Sequence, residues 1–365
     1  MGLKCGIVGL PNVGKSTLFN CLSSAKAQAA NFPFCTIEPN IGTIIVPDAR
    51  LNKLEELVKP ERVQANVMEI VDIAGLVKGA STGEGLGNMF LGNIRETDAI
   101  LHVLRCFDDG NIVHVDGSVN PIRDKEIIDI ELQLKDLETI DKKIQSLARV
   151  IKSGDKEALK ENELALKIKE GLAQSVSVRG LGFSAEDMLI IKRFNLITSK
   201  PVMYVCNVDE ASVLSGNAYV DQVKAAVANE QAEVLIIGAK IEADITELET
   251  YNERKMFLDE LGLEEPGVNR LIRSAYALLN LQTYFTAGVK EVRAWTIHKG
   301  STAPQAAGVI HSDFEKGFIR AEVMKYNDYV NYGTETAVKE AGKFKVEGKE
   351  YVVADGDIMH FRFNV

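Results

Sequence analysis

One octapeptide near the amino end limits what this chain can fold into. Residues 9–16 read Gly-Leu-Pro-Asn-Val-Gly-Lys-Ser and fit the pattern G-x-x-x-x-G-K-[ST] in full. The apolar run Cys5–Val8 precedes the octapeptide, and a helical pattern begins at Thr17. Glycines let the backbone wrap closely around phosphate oxygens, and the free amides at a helix start offer fixed donors to an anion. The sequence therefore predicts a loop that binds the phosphates of a nucleotide.

Two side chains of this loop carry specific expectations. Lys15 is expected to bridge the terminal phosphates and act in catalysis, and Ser16 is expected to place its hydroxyl oxygen on Mg²⁺. The rest of the predicted nucleotide contacts in this segment come from Asn12, Val13, Gly14 and Thr17.

A second signal follows the hydrophobic run Val67–Val71, where residues 72–75 read Asp-Ile-Ala-Gly. An acid at the carboxyl end of a strand can hold the metal, and the glycine can offer its amide to a terminal phosphate. We therefore expect Asp72 to serve the metal and Gly75 to contact the nucleotide. Thr36, in the loop between the two motifs, is expected to complete the Mg²⁺ sphere. Alternatively, Thr36 only caps the loop, since Thr43 could complete the Mg²⁺ sphere instead.

Apolar runs alternate with helical patterns through much of the chain, at residues 5–8, 43–46, 67–71, 100–104, 202–206 and 234–237. Continuous runs of this kind are typical of strands buried on both faces. The pattern predicts an α/β fold with a mostly parallel sheet wrapped in helices.

The segment after the fifth run departs from the usual guanine-recognition motif N-K-x-D, because residues 207–210 read Asn-Val-Asp-Glu. Glu210 stands where the aspartate would accept from the guanine ring, and Val208 replaces the lysine. A mispositioned bidentate contact forfeits about 2–4 kcal/mol. We expect Asn207, Val208 and Glu210 to border the base, together with Ala239 of the next loop, and guanine selectivity to be weak or reversed. An ordinary turn and helix cap is the alternative.

The sheet pattern is interrupted between residues 123 and 200 by helical spacing. Apolar residues recur three and four apart at Leu137, Ile140, Ile144, Leu147 and Ile151. Gly154 and Asp155 read as a helix stop and a new N-cap, and Leu159, Leu164, Leu166 and Ile168 continue on a second helix. This predicts an antiparallel helical hairpin, either a docking arm or a solvated bundle. After residue 281, short runs such as 292–297 and 351–353 predict strands and 302–310 a helix, in a small α+β domain.

These motifs resemble those of the Obg-like ATPase (YchF) family of translation-factor-related P-loop NTPases, over nearly the whole chain. The likeness includes the segment NFPFCTIEPN at 31–40 and, near the end, TYFT at 283–286 and RAWT at 293–296. The resemblance implies a nucleotide-binding domain of residues 1–122 and 201–280, an inserted coiled coil of residues 123–200, and a β-grasp-like TGS domain of residues 281–365. It also implies preference for ATP over GTP and association with ribosomes or ribosomal subunits.

Hydrolysis needs a polar group that orients water, and many switch GTPases use a glutamine directly after D-x-x-G. Leu76 holds that position here and cannot orient water. His114 is the best candidate for a replacement, since it lies in a glycine-flanked loop after the run 100–104, and the family counterpart is proposed to serve hydrolysis. An ordinary loop histidine with one hydrogen bond is the alternative.

Composition excludes some partners. Lysine and arginine number 42 against 52 acidic residues, a net charge of −10. This balance argues against wholesale coating of nucleic acid or anionic membrane, so RNA contact is expected to be local, through the TGS domain and the hairpin. Neither an export signal nor a long apolar run is evident, which predicts a cytoplasmic protein. A slow nucleotide-bound scaffold is the second interpretation, and a small-molecule kinase is disfavoured by the motif order.

Overall fold

The computed structural model describes residues 4–24, 41–73, 86–230 and 232–364. The strands are β1 (Lys4–Val8), β2 (Ile41–Ile45), β3 (Val63–Gln64), β4 (Val67–Asp72), β5 (Ala99–Arg105), β6 (Val202–Asn207), β7 (Val234–Ile237), β8 (Leu281–Ala287), β9 (Val292–His298), β10 (Phe318–Lys325), β11 (Lys345–Glu347) and β12 (Asp357–Phe363). The helices are α1 (Lys15–Ser24), α2 (Ala49–Val58), α3 (Leu86–Arg95), α4 (Pro121–Ile151), α5 (Lys156–Ala173), α6 (Ala185–Ile191), α7 (Ala218–Ala226), α8 (Ala239–Glu247), α9 (Tyr251–Glu260), α10 (Gly267–Leu278), α11 (Ala303–Ile310), α12 (Ser312–Lys316), α13 (Tyr326–Tyr332) and α14 (Glu335–Glu340).

The first sheet has the strand order β2-β4-β1-β5-β6-β7. Strand β1 pairs in parallel with β4 and β5, β5 with β6, and β6 with β7. Every residue of β5 and β6 is buried, which explains why both are mainly apolar and show no alternation. The mostly parallel sheet predicted from the sequence is confirmed. Because the carboxyl ends of parallel strands meet at one edge, the loops after β1, β5, β6 and β7 lie together there.

The helical hairpin is formed by α4 and α5. Asp155 caps α5 by accepting from the Ala158 amide, as the sequence predicted, and Gly154 takes the positive φ of 80° that ends the preceding turn. Two ion pairs join the helices: Asp141 of α4 pairs with Lys169 of α5, and Lys143 of α4 pairs with Glu161 of α5. The later residue of α4 thus meets the earlier residue of α5. The hairpin is therefore antiparallel.

The hydrophobic seam of this hairpin differs in part from the predicted one. Its core gathers Ile140, Leu164, Ala165, Ile168 and Leu172. Two predicted members, Leu159 and Leu166, are instead 43% and 49% exposed. Positions 164, 165, 168 and 172 follow the helical period of 3.6 residues and share one face, whereas 159 and 166 point off that face.

A second sheet has the order β11-β10-β12-β8-β9-β3. It belongs to a compact unit made of Ile45–Met68 and Ile272–Val365, and the other compact unit is Met1–Ile44 with Glu69–Leu271. The small α+β architecture expected for the end of the chain is present, with α11 beginning after Thr302 as predicted. Residues 351–353 do not form a strand, because only an isolated bridge from Val352 to Thr302 occurs there.

The expected domain boundaries put the segment 45–68 in the nucleotide-binding domain, which was to include residues 1–122. In the structure this segment belongs instead to the unit that contains the second sheet. Leu51 and Leu54 of α2 are buried in a core with Phe285 and Val292. Strand β3 pairs in parallel with β9. A two-residue strand is too short to show an alternating pattern, so the sequence offered no sign of this pairing.

Over the described ranges, no helix has both the length and the apolar character needed to cross a membrane.

Candidate nucleotide-binding site

The phosphate loop between β1 and α1 is shaped by two glycines that nothing larger could replace. Gly9 has φ of 153°, and a Cβ there would lie 2.4 Å from the Val103 carbonyl oxygen. Gly14 has φ of 100°, and its Cβ would lie 2.3 Å from Nδ2 of Asn207. Both φ values also disfavour any L side chain. The loop thus requires glycine at both ends of its turn.

Lys15 is the first residue of α1 and is only 6% exposed. Its Nζ donates to the Leu10 carbonyl oxygen at 2.6 Å, so the ammonium lies over the loop's own backbone. Burial lowers the pKa of Lys15 to about 8, against an opposing effect of Asp72. The first amides of α1 lack acceptors within the helix, so they and Lys15 together form an anion-binding surface.

Ser16 and Asp72 are brought together as the motifs predicted. The Ser16 hydroxyl donates to Oδ2 of Asp72 at 3.3 Å. Oδ1 of Asp72 is buried and has no hydrogen-bond partner among the described residues. Burial raises the pKa of Asp72, while Lys15 and Ser16 act in the opposite direction. A carboxylate oxygen without a partner beside a serine hydroxyl suits a hard divalent cation, so these two residues fit Mg²⁺.

Three residues named from the sequence, Thr36, Gly75 and Leu76, lie outside the described residues.

Asn207 holds two loops of the site together. Its Nδ2 donates to the Val13 carbonyl oxygen at 2.9 Å, and its Oδ1 accepts from the Ala239 amide at 2.9 Å. The side chain is buried, with 4% of the residue exposed. Because both polar ends are engaged by backbone groups, Asn207 fixes the phosphate loop against the loop that follows β7.

A cavity of about 620 Å³ opens beside this bridge. Its lining includes most of the predicted nucleotide contacts, namely Asn12, Gly14, Thr17, Asn207, Val208, Glu210 and Ala239. Val13 and Val208 are buried, whereas the Glu210 residue is exposed at the start of a single 3-10 turn, Glu210–Ser212. The cavity therefore combines apolar lining, such as Val208, with a few polar groups, which is typical of small-molecule sites.

The sequence reasoning missed two residues of the loop after β5. Phe107 also lines the cavity. Arg105 lies at the end of β5, is 2% exposed, and donates to the carbonyl oxygens of Phe107, Asp109 and Ile112 at 3.0–3.1 Å. The guanidinium also lies 4.7 Å from the centre of the Phe107 ring. The sequence signal that could have identified Arg105 is an arginine at the end of a mainly apolar strand.

His114 lies in this loop, as predicted, but does not line the 620 Å³ cavity. Its Nδ1 accepts from the Asp116 amide at 3.1 Å, which leaves the ring proton on Nε2. Nε2 is 2.8 Å from Oδ2 of Asp124 in the first turn of α4. The side chain is 6% exposed. The loop is tied to the phosphate loop by Asn12, whose Nδ2 donates to the Val113 carbonyl oxygen at 3.1 Å.

His114, Asp116 and Asp124 form a group with the residue types of a metal site. The Arg123 guanidinium contacts Oδ1 of Asp124 at 3.0 Å and lies 3.8 Å from Asp116. With a cation already beside both carboxylates and both ring nitrogens engaged, the group is a hydrogen-bond cluster.

Comparison with known proteins places this geometry in a family. The family described as 50S ribosome-binding GTPase matches residues 4–152, and the YchF-GTPase C-terminal family, described as a protein of unknown function (DUF933), matches residues 281–364. Proteins named ribosome-binding ATPase YchF are 57% identical in Haemophilus influenzae, over the full length of both chains, and 54% identical in Bacillus subtilis, again over both full lengths. The structure of the Schizosaccharomyces pombe YchF GTPase superimposes with a TM-score of 0.89 at 39% identity, covering 99% of this chain and 98% of that one. The chain therefore belongs to the YchF family.

Proposed function

We propose that this protein is a Mg²⁺-dependent ATPase that prefers ATP to GTP and acts as a nucleotide-dependent switch on the ribosome, in the cytoplasm. The observation that carries the proposal is the phosphate loop itself, with Lys15 buried over it and Ser16 placed 3.3 Å from Asp72. The relatives with 54–57% identity over their full length are named ribosome-binding ATPases, which supports the same assignment.

In the phosphate end of the site, made of the phosphate loop and the metal-binding residues, different residues would bind the phosphates and the metal. The loop amides and Lys15 hold the phosphates, while Ser16, Asp72 and Thr36 would hold the metal. When bound, Mg²⁺ neutralises charge on the β- and γ-phosphates. Gly75 would offer its amide to the γ-phosphate, so that loss of this phosphate changes the contacts of the segment around it.

The preference for ATP rests on Val208 and Glu210. The guanine-binding motif places a lysine and an aspartate at these positions, and neither is present. Glu210 extends one methylene farther than that aspartate, which misplaces the paired acceptor oxygens. The names of the relatives disagree on the nucleotide, since the bacterial proteins are called ATPases and the yeast structure a GTPase. The base pocket therefore needs a direct measurement.

Calorimetric titration of ATP and GTP in the presence of Mg²⁺ makes that measurement. We expect ATP to bind more tightly, and the pair of substitutions Val208→Lys and Glu210→Asp to shift the ratio of the two affinities toward GTP by at least about 30-fold. Glu247→Asp, the same shortening at the carboxyl end of α8, is the matched control. Tighter binding of GTP by the unchanged protein would contradict the proposed preference.

Ribosome contact is assigned to two parts of the chain, the hairpin of residues 123–200 and the TGS domain of residues 281–365. Residues 1–122 and 201–280 form the nucleotide-binding domain in this proposal, except for the segment 45–68, which belongs to the second compact unit. Five basic residues of the TGS domain are candidates for RNA contact, namely Lys290, Arg293, Lys299, Arg320 and Lys325. Lys325 pairs with Asp357 at 2.6 Å and Arg320 lies 3.7 Å from Glu322. The Arg293 guanidinium stacks 3.7 Å from the Trp295 ring centre. Lys290 and Lys299 are exposed.

A slow, nucleotide-bound scaffold is the second candidate function. It is favoured by His114, whose two ring nitrogens are both engaged within the protein. Multiple-turnover ATPase assays with and without ribosomes separate the two functions. A scaffold would show no stimulation of turnover by ribosomes.

A further inference from the structure

The contact between His114 and the hairpin helix α4 is the feature that the proposed function does not use. Asp124 is 1% exposed and lies in the first turn of α4. Its Oδ2 receives the Nε2 proton of His114 at 2.8 Å. A buried hydrogen bond between a ring N–H and a carboxylate is charge-assisted and stronger than a neutral one.

The same carboxylate is held on its other side. Oδ1 of Asp124 accepts from Nε of Arg123 at 3.2 Å and from its terminal nitrogen at 3.0 Å. Arg123 in turn donates to the Ser118 carbonyl oxygen at 2.6 Å. Asp124 therefore cannot swing away from the ring while α4 keeps its position.

His114 cannot orient water in this arrangement. Nδ1 is occupied by the Asp116 amide, and Nε2 by Asp124, so neither nitrogen is free to accept a proton or direct a water molecule. The loop contacts the phosphate loop at the residue before His114, because Asn12 donates to the Val113 carbonyl oxygen. A movement of the loop that takes Nε2 beyond the usual hydrogen-bond range of about 2.7–3.2 Å from Asp124 would free this ring nitrogen.

The helix that carries Asp124 extends well beyond the nucleotide site. It is a continuous helix of 31 residues, about 46 Å long at 1.5 Å per residue. Near its start, Lys125 pairs with Glu230 at 2.8 Å, and farther along Asp136 accepts from the amides of Ile197 and Thr198. These contacts hold α4 in place, and because the helix is continuous, a shift of α4 that broke them would also move its first turn.

We infer that Asp124 is a positioning residue that holds His114 in an inactive orientation, and that a partner which shifts α4 releases the histidine for hydrolysis. This inference rests on the proposed function, because it regulates the same ATPase site. In this view the bond between His114 and Asp124 is an inhibitory latch, and the hairpin is the element through which the ribosome opens it.

Asp124→Asn tests the latch with the full-length protein. Only one of the two terminal atoms of an amide accepts hydrogen bonds, so Asn cannot replace both Asp124 oxygens, one of which receives the Nε2 proton of His114 and the other the Arg123 guanidinium. We expect basal ATP turnover to rise about 5- to 10-fold and stimulation by purified ribosomes to fall by a similar factor, because a charge-assisted bond is about twice as strong as a neutral one. ATP affinity should stay within about twofold. Asp141→Asn on the same helix, where the carboxylate is 41% exposed, is the matched control.

A second variant shows whether the gain passes through the histidine. Adding His114→Ala to Asp124→Asn should remove the extra turnover. Equal loss of basal and stimulated turnover in Asp124→Asn, no change in either, or a gain that survives His114→Ala would each overturn the latch. Absence of ATP hydrolysis by the unchanged protein, with or without ribosomes, would instead overturn the proposed function.

The ring itself gives a readout that does not depend on activity. The chain has five histidines, so ¹⁵N-labelled protein gives a small set of ring signals, and His114→Ala identifies the one at position 114. The free protein should show the Nε2–H tautomer, with its proton protected from exchange, and Asp124→Asn should lose that protection. An Nδ1–H tautomer in the free protein would overturn the inference even if the Asp124 variant did not fold.

Discussion

The two ends of the nucleotide site are built in different ways. The phosphate end is made of backbone, with Gly9 and Gly14 at positions where one added methyl group collides with neighbouring atoms. The loop after β5, which we propose serves hydrolysis and call the hydrolysis end, is held by side chains. Arg105, His114 and Asp124 hold it through hydrogen bonds from separate elements. A backbone loop of this kind has one conformation, whereas side chains joined by hydrogen bonds can adopt other arrangements. Binding is thus expected to be fixed and turnover adjustable.

The largest effect should come from adding one carbon atom to the phosphate end. Gly14→Ala places Cβ 2.3 Å from Asn207 Nδ2 at a φ of 100°, so we expect ATP affinity to fall more than about 100-fold, with roughly 2–4 kcal/mol lost from the free energy of unfolding. Gly110→Ala in the other loop has no atom within 4 Å of its Cβ and should change the free energy of unfolding by less than about 0.5 kcal/mol. Calorimetry and urea unfolding measure both. Equal effects of the two changes would contradict the contrast.

A smaller effect should follow from Arg105→Met at the hydrolysis end. It removes three hydrogen bonds to loop carbonyls, for a loss of about 2–4 kcal/mol in unfolding free energy. Turnover should fall more than ATP affinity, because the phosphate loop is left intact. Arg149→Met, an exposed arginine on α4, is the control. A loss of affinity as large as that of Gly14→Ala would show that the two ends are not separate.

The smallest effect concerns His102, on the strand that leads into the hydrolysis loop. It is fully buried, its Nε2 has no hydrogen-bond partner among the described residues, and burial lowers its pKa to about 3, with Lys125 and Arg179 acting in the same direction and Glu230 against them. The folded state therefore keeps His102 neutral while the unfolded chain takes up a proton below about pH 6.5. The stability that this provides is present above about pH 6.5 and is lost as the pH falls toward 3.

His102→Gln should reduce the slope of the free energy of unfolding against pH between about pH 6.5 and 3. The reduction should correspond to at most one proton taken up on unfolding. Urea unfolding at several pH values measures the slope, and His298→Gln, which replaces an exposed histidine at the end of β9, is the control. An unchanged slope in His102→Gln would show that this histidine does not titrate differently in the two states.

Sequence reasoning succeeded where the physics is local. Residues 9–16 lie next to each other in the chain, so their pattern describes the loop they form, and continuous apolar runs identified the buried strands of the first sheet. It failed where distant residues meet. The partnership of His114 with Asp124 depends on where α4 begins relative to the loop, and the pairing of β3 with β9 joins segments that have no pattern of their own.

The position of the segment 45–68 also bears on the order of folding during synthesis. Its partners in the second sheet begin with β8 at Leu281, so residues 69–280 are made in between. At about 5–20 residues per second, Leu51 and Leu54 wait roughly 11–45 s for the first of the strands that cover them. A growing chain on the ribosome therefore carries an apolar helix face without its core, and chaperones that recognise such faces have a defined interval in which to act.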